Sequence, residues 1–184
     1  MKQVLVLYAS THGHTAKVAT RIAEAIEQAG AHADVRQADP KTDLIPSDYA
    51  AVVVGASIHA GHHQREIADW ARRHATSLGT VPSAFFSVSL SAADDTDEAR
   101  AAARTYVDDF VEATGWSPTR TASFAGALQY REYDFFTRLL IKMMMHRGGH
   151  PTDASRDYDY TDWDEVERFG RRIAELLPAG AAAS

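Results

Sequence analysis

The stretch VLVLYASTHGHT, residues 4–15, indicates the fold class. Its first five residues form an unbroken apolar run, which is typical of a strand buried on both faces. After this stretch, apolar residues recur at every fourth position from Val18 to Ile26, and Gly30 stands where a helix would end. The sequence therefore predicts a buried strand, a short polar loop and an amphipathic helix over residues 15–29.

The rest of the chain repeats this alternation of strand-like and helix-like segments. The last helix is predicted to begin at Asp162, an N-cap residue with Glu165 three positions later, and to end before Pro178. Alternating strands and helices favour right-handed crossovers and a parallel sheet covered on both faces, which makes a three-layer α/β domain. In such sheets, ligands bind beyond the carboxyl ends of the strands. The further strand-like runs are residues 33–37, 50–58, 81–90 and 121–128.

Composition limits the classes of protein to which the chain can belong. It has 184 residues, a formal net charge of −6 and no cysteine, so disulfides, thiolate metal sites and cysteine nucleophiles are excluded. The acidic balance disfavours nucleic-acid binding, and no apolar run reaches the ~20 residues of a membrane span. We expect one cytoplasmic domain over residues 1–178, a loose tail at 179–184, and no metal site.

The polar loop between the first strand and the first helix is a candidate phosphate site. Residues 10–15, Ser-Thr-His-Gly-His-Thr, combine hydroxyl groups with a glycine and include no acidic residue. Backbone N–H groups at a helix N-terminus receive anions, although Ser10 and Thr11 could instead only cap the helix. The loop lacks the Gly-x-x-x-x-Gly-Lys and Gly-x-Gly-x-x-Gly patterns of nucleotide-binding loops, and it lacks the cysteine of a tyrosine phosphatase. These residues favour a phosphate group, with helix capping as the alternative.

Three histidines, His59, His62 and His63, follow the third strand-like run. Imidazole is a common metal ligand, but these residues have no fixed helical spacing and no carboxylate nearby. A histidine also titrates in the range that acid–base catalysis uses. We therefore interpret His59 and His62 as candidate catalytic residues. An exposed bystander is the expected role of His63 and the alternative role of His62.

Residues 128–150 are longer than a strand-to-helix connection needs. Apolar side chains recur there in pairs at helical spacing, and Arg138, Lys142 and His146 form a row at every fourth position. This pattern predicts a basic amphipathic helix inserted after the fifth strand. The helix could pack on its own domain or in a homodimer, lie on an anionic membrane surface, or hold a large apolar substrate. The candidate substrate or membrane contacts are Arg131, Arg138, Lys142, Met143 and Met144.

Several stretches of the chain resemble a known family. The loop YASTHGHT, residues 8–15, resembles the FMN-phosphate loop of flavodoxins, with its hydroxyl groups, its glycine and its closing threonine. With five further stretches, nearly the whole chain is similar to the flavodoxin-like, quinone-dependent protoporphyrinogen IX dehydrogenase family of bacterial haem synthesis. The main departure is the His-Gly-His at residues 12–14, which is closer to ordinary flavodoxins. The other matching stretches are residues 55–63 (GASIHAGHH), 82–90 (PSAFFSVSL), 125–130 (AGALQY), 141–144 (IKMM) and 160–163 (YTDW).

The resemblance implies a flavodoxin-like three-layer sandwich with a five-stranded parallel sheet of order 2-1-3-4-5. It also implies a helical insertion after the fifth strand and FMN as the cofactor. In that fold the loops after the third and fourth strands flank the flavin ring, where backbone N–H or hydroxyl donors stabilise charge on the ring. The expected cofactor-binding residues are Ser10, Thr11, His12, Gly13, His14, Thr15, Ala56, Ser57, Ile58, His59, Gly61, Ser87, Val88, Ser89 and Leu90.

The activity implied by the resemblance is the FMN-dependent oxidation of protoporphyrinogen IX to protoporphyrin IX, with a menaquinone-type membrane quinone as electron acceptor. The tips of the ring-side loops carry no aromatic side chain of the kind that flavodoxins place against the flavin. The acidic surface nevertheless leaves a flavodoxin-type electron carrier as an alternative, and an NAD(P)H:quinone reductase is another. With the basic segment, the resemblance predicts an enzyme at the inner face of the cell membrane.

Overall fold

A computed structural model describes residues 3–93, 96–128 and 158–177 of the chain. The tail at 179–184 lies outside the described residues, and so does nearly all of the predicted insertion. None of the described helices is long and apolar enough to cross a membrane. The predicted substrate or membrane contacts that lie outside the described residues are Arg131, Arg138, Lys142, Met143 and Met144.

The described part of the chain contains eight strands and five helices, besides two short 3-10 turns at Pro46–Asp48 and Leu90–Ala93. The strands are β1 (Val4–Ala9), β2 (Ala33–Gln37), β3 (Ala51–His59), β4 (His62–His63), β5 (Ser83–Ser89), β6 (Arg120–Ala125), β7 (Ala127–Leu128) and β8 (Tyr158–Asp159). The helices are α1 (His14–Gln28), α2 (Arg65–Arg73), α3 (Ala75–Leu78), α4 (Asp97–Thr114) and α5 (Trp163–Ala174).

Five of the strands form a parallel sheet in the order β2, β1, β3, β5, β6. Numbered among themselves along the chain, these five strands have the order 2-1-3-4-5, so the predicted topology is confirmed. The central position of β1 explains its unbroken apolar run, because Val6 pairs with Val35 of β2 on one side and with Val53 of β3 on the other.

Side chains that alternate along the strands face two separate cores, because neighbouring residues of a strand point to opposite faces. On one face Val6, Val53 and Phe86 pack with α1 and α5. On the other face Leu7 and Phe85 pack with α2 and α4. All five side chains are fully buried. The molecule is therefore the three-layer sandwich that the sequence predicts, and the carboxyl ends of its strands are left as the open edge.

A short hairpin at the end of β3 was not predicted. The sequence predicts that this strand ends at residue 58, but β3 continues to His59 and pairs in antiparallel register with β4. The turn between them consists of Ala60 and Gly61, with φ of 50° and 83°. Positive φ at both central positions is typical of a type I′ turn, for which Asn-Gly is the usual signal. Part of the expected ring-side loop is therefore a hydrogen-bonded hairpin.

Helices α1 and α5 lie in close contact on the same face of the sheet. A Cβ atom on Gly170 would lie 2.7 Å from the carbonyl oxygen of Ile22 and 2.7 Å from the Cβ of Ala25, so a glycine is needed at the crossing. The start of α5 is capped as predicted, because the Asp162 side chain accepts a hydrogen bond from the Glu165 N–H at 3.0 Å. The contact brings the residues just before α5 next to the N-terminus of α1.

Candidate functional site

A cleft opens at the carboxyl ends of the parallel strands, where open α/β sheets bind ligands. It is lined by the loop after β1, the end of β3, the end of β5 and the segment just after β6. The described lining residues are Ser10, Thr11, His12, His14, Thr15, Ser57, Ile58, His59, Val88, Ser89, Leu90, Gly126 and Ala127.

The loop after β1 has the geometry of an anion site. Gly13 is the N-cap of α1 with φ 79°, and no side chain caps the helix. The N–H groups of the first turn, which have no partner within the helix, therefore face the loop. The Ser10 hydroxyl oxygen instead closes the loop by accepting a hydrogen bond from the Gly13 N–H at 2.9 Å. Neither Ser10 nor Thr11 therefore caps α1 by a side-chain hydrogen bond, and the phosphate site stays a prediction.

The chemistry of this lining suits a phosphate group. Ser10, Thr11 and Thr15 contribute hydroxyl groups, and Thr15 is buried at the base of the cleft wall. None of the described lining residues is acidic, and the first turn of α1 has no acidic residue either. A dianion placed here would meet hydrogen-bond donors and the positive end of the helix dipole.

His14 connects this loop to the segment that precedes α5. Its Nε2 lies 2.7 Å from the Thr161 hydroxyl oxygen, and that hydroxyl donates to the carbonyl oxygen of Ala125 at 2.8 Å. Since the hydroxyl has one hydrogen, Nε2 is the donor to Thr161. Burial lowers the pKa of His14, although Asp159, 3.9 Å from Nε2, acts in the opposite direction. The histidine is therefore held neutral as an Nε2–H donor.

Gln64 joins two walls of the cleft, and sequence reasoning missed it. Its amide Nε2 donates to the Ser57 hydroxyl at 2.6 Å and to the Thr11 hydroxyl at 3.2 Å. Its Oε1 accepts from the Ser57 backbone N–H at 3.1 Å. The residue is the N-cap of α2, but its side chain makes no cap hydrogen bond. A single glutamine after a histidine pair has no local pattern that could have indicated this contact.

The hairpin at the end of β3 places one candidate catalytic histidine in the cleft and excludes the other from its lining. His59 lines the cleft, and its ring lies edge-on to the His12 ring at 5.8 Å between centroids. His62 pairs with His59 across the hairpin and is exposed, but it is not a lining residue. No described group of three or more histidine or acidic residues is arranged to hold a metal ion.

The His63 side chain is partly buried against aromatic neighbours, so its prediction as an exposed bystander is wrong. Its ring lies edge-on to both Phe85 and Phe110, which stack on each other, with centroid distances of 5.4 and 5.2 Å. Its Nε2 is 3.0 Å from the Ser87 hydroxyl oxygen. Burial, with a smaller contribution from His62, lowers the pKa of His63 to about 4. The short strand β4 turns this side chain inward, which a sequence reading without the hairpin could not anticipate.

The structure brings together most of the expected cofactor-binding residues from three separate segments of the chain. Ser87, in contrast, is buried inside β5 and contacts His63 rather than the cleft. Ala56 is buried within β3, and Gly126 and Ala127 line the cleft although they were not predicted to do so. The expected site residues that are not among the described lining residues are Gly13, Ala56, Gly61, His62 and Ser87.

Comparisons with known proteins show the family to which the chain belongs. A family model described as a flavodoxin domain matches residues 5–155. The chain is 34% identical over 174 residues to the Escherichia coli (strain K12) protein named protoporphyrinogen IX dehydrogenase (quinone), and the match covers 95% of this chain and 96% of that protein. It is 36% identical over 173 residues to the Leishmania major protein of the same name, over 94% of this chain and 74% of that protein.

A solved structure shows the same fold at low sequence identity. The short-chain flavodoxin associated with a bacterial microcompartment matches with a TM-score of 0.61 and 14% identity, over 95% of this chain and 98% of that chain. At this identity the likeness supports the fold alone. Because the family model spans most of the sequence and two relatives match along nearly all of it, the chain belongs to the flavodoxin domain family, in the group that contains the quinone-dependent protoporphyrinogen IX dehydrogenases.

Proposed function

We propose that this chain is an FMN-dependent dehydrogenase that oxidises protoporphyrinogen IX to protoporphyrin IX and passes the electrons to a menaquinone-type membrane quinone. The observation that carries the proposal is the 34% identity with the Escherichia coli protein, which extends over 95% of one chain and 96% of the other. A match of this length is not confined to one motif. The cleft at the carboxyl edge of the sheet provides the site at which the reaction would occur.

The residues of the cleft fit FMN. The loop of residues 10–15 would hold the phosphate, because it offers hydroxyl groups and helix N–H groups and no carboxylate. The ends of β3 and β5, at residues 57–59 and 88–90, would lie along the isoalloxazine ring. Bound FMN would supply the two-electron transfer between substrate and quinone, whereas the protein supplies binding, orientation and electrostatics.

His59 is the residue we propose for proton transfer. Oxidation of the macrocycle releases protons from its ring nitrogens, and an imidazole can accept them near neutral pH. The titratable side chains of the described lining are His12, His14 and His59, of which His14 is committed to Thr161 and His59 is the exposed one. His62, which pairs with His59 on the hairpin, is the second candidate, as a relay to solvent.

Anaerobic mixing of the FMN-loaded protein with protoporphyrinogen IX tests the proposal. We expect the visible flavin absorbance to bleach, protoporphyrin fluorescence to appear, and the flavin bands to return when a soluble menaquinone analogue is added. The matched control is the same mixture with protoporphyrin IX, which is already oxidised and should leave the flavin bands unchanged. A flavin that stays oxidised in the presence of protoporphyrinogen IX would overturn the proposal.

The same preparation distinguishes the two alternatives. An electron carrier would leave protoporphyrinogen IX unchanged and would take up electrons in two well-separated single-electron steps during a potentiometric titration. An NAD(P)H:quinone reductase would be bleached by NADH or NADPH. We expect neither result, because no feature of the described cleft favours a nicotinamide over the porphyrinogen that the relatives' name specifies.

We further propose that the enzyme works at the inner, cytoplasmic face of the cell membrane as a peripheral protein. The support is the basic amphipathic pattern of the segment after β7, together with the need to reach a quinone in the lipid. In this proposal Arg131, Arg138 and Lys142 meet anionic headgroups or the acidic groups of the substrate, and Met143 and Met144 contact apolar surface. A homodimer that buries this segment remains the alternative.

A further inference from the structure

Gln64 sits where two structurally unrelated walls of the cleft meet. Thr11 belongs to the loop after β1, and Ser57 belongs to the end of β3. Both side chains line the cleft, whereas Gln64 lies behind them at the start of α2. One amide group contacts both hydroxyls and the backbone of Ser57, with distances from 2.6 to 3.2 Å. This amide therefore controls groups that face the cleft without lining it itself.

The orientation of the Gln64 amide follows from its partners. The backbone N–H of Ser57 can only donate, so the amide atom that faces it at 3.1 Å is the acceptor Oε1. The NH₂ group then faces the two hydroxyls and donates one hydrogen to each. A side-chain amide has two such hydrogens, so this arrangement uses both of them. The assignment is fixed by the hydrogen-bond network rather than by the shape of the amide.

The hydroxyls of Thr11 and Ser57 are left with their own hydrogens to donate. Each hydroxyl accepts from Gln64, and its single O–H must point elsewhere. Since both side chains line the cleft, the hydrogens are available to an acceptor placed there. A phosphate dianion and the carbonyl oxygens of a flavin ring are acceptors only, so a bound flavin needs donors from the protein.

We propose that Gln64 is a positioning residue that turns the hydroxyl hydrogens of Thr11 and Ser57 into the cleft, so that both hydroxyls donate to FMN. Thr11 serves the phosphate side of the site, and Ser57 serves the ring side. The proposal rests on the proposed FMN site, and it assigns a function to a residue that does not itself touch the cofactor.

Binding of FMN and of riboflavin to Gln64→Glu tests the proposal. A glutamate side chain has nearly the same shape, but its carboxylate only accepts, so both hydroxyls would turn their hydrogens away from the cleft. We expect the dissociation constant of FMN, measured by quenching of flavin fluorescence, to rise at least about tenfold. The dissociation constant of riboflavin, which has no phosphate, should also rise, because the Ser57 hydroxyl would no longer donate to the flavin ring. The matched control is Gln28→Glu, at the exposed end of α1, with affinities within about twofold of the wild type.

A double-mutant cycle separates this mechanism from charge repulsion between the new carboxylate and the phosphate. In a chain that already carries Thr11→Val and Ser57→Ala, the hydroxyls are absent, and Gln64→Glu should then change FMN affinity less than about threefold. An equally large loss in that background, or an unchanged riboflavin affinity, would overturn the proposal. The neutral variant Gln64→Met should weaken both flavins less than Gln64→Glu, because the hydroxyls can then rotate freely.

The outcomes also distinguish this inference from the FMN site itself. If the wild-type chain does not bind FMN, the proposed function fails. If the wild type binds FMN, and Gln64→Glu binds FMN and riboflavin as tightly as the wild type does, only the proposed role of Gln64 fails. Circular dichroism and urea unfolding of each variant show that an observed loss comes from the site rather than from the fold.

Discussion

His63 makes the stability of the protein depend on pH. In the unfolded chain this side chain has its ordinary pKa of 6.5, whereas burial against Phe85 and Phe110 lowers the pKa to about 4 in the folded protein. Between these values the unfolded chain binds more protons at this residue than the folded chain. The free energy of unfolding therefore falls as pH drops through this window and is unaffected by His63 above it.

The replacement His63→Phe should remove this pH dependence. Phenylalanine keeps a ring against the stacked pair Phe85 and Phe110, but it cannot be protonated and it leaves the Ser87 hydroxyl without its partner. We expect the wild type to lose about 2 kcal/mol more than the variant between pH 7 and pH 5, measured by urea unfolding at each pH. His32→Gln, at an exposed position, should follow the wild-type curve. If the free energy of unfolding of His63→Phe varied with pH in parallel with that of the wild type, His63 would not be held in its neutral form by burial.

Residue roles could be predicted where the chemistry lies in one continuous stretch. The candidate phosphate loop at residues 10–15 was recognisable because hydroxyls, a glycine and the start of a helix follow one another directly. Gln64 was missed because its contact with Thr11 joins residues that are distant in sequence. The prediction for His63 was wrong for the same reason, since its neighbour Phe110 is also distant in sequence. Ser87, which the sequence predicts as a cofactor-binding residue, has its hydroxyl oxygen 3.0 Å from Nε2 of His63 and is not among the described lining residues of the cleft.

At the scale of the elements, hydrophobic period predicted the five parallel strands and the helices α1 and α5. The capped start of α5 was predicted in detail, because Asp162 and Glu165 form a local pattern. The hairpin of β3 and β4 was not predicted, because Ala60 has a φ of 50°, which alanine rarely adopts. The pair β7 and β8 was also missed, because each strand has two residues and they meet across a long segment.

The crossing of α1 and α5 provides a test of packing at this scale. Gly170→Ala would place a methyl group 2.7 Å from the carbonyl oxygen of Ile22 and from the Cβ of Ala25, so the helices must move apart. We expect the free energy of unfolding to fall by about 1–3 kcal/mol, although alanine is intrinsically the better helix former. Urea unfolding measures this loss. The control is Arg172→Ala, on the exposed side of the same helix, whose free energy of unfolding should stay within about 0.5 kcal/mol of the wild-type value. If Gly170→Ala leaves the free energy of unfolding unchanged, the helices do not pack this closely.

At the scale of the whole molecule, charge is distributed unevenly along the chain. The net charge is −6, yet the segment after β7 contains Arg131, Arg138, Lys142 and Arg147. An acidic protein is repelled by an anionic membrane unless a basic surface faces it. The proposed membrane contact therefore depends on that segment rather than on the average charge.

The double replacement Arg138→Glu and Lys142→Glu tests the membrane contact. We expect association with anionic vesicles, measured by co-sedimentation, to weaken at least about tenfold, because each basic residue near such a surface contributes about 1 kcal/mol. Arg104→Glu with Arg172→Glu changes the net charge equally on exposed positions of α4 and α5, and it should have a smaller effect. Equal losses in the two double variants would mean that net charge alone governs binding.

The pairing of β7 with β8 joins two strands that are far apart in sequence. Because Ala127 pairs with Asp159, two chain positions that are far apart in sequence lie side by side, close to the Thr161 hydroxyl that contacts His14. The entropy cost of closing a chain between two fixed ends grows slowly with its length, by about 0.6 kcal/mol for each doubling. A change in the length of chain between β7 and β8 would therefore leave the register of β1 with β3, and the position of the loop at residues 10–15, unchanged.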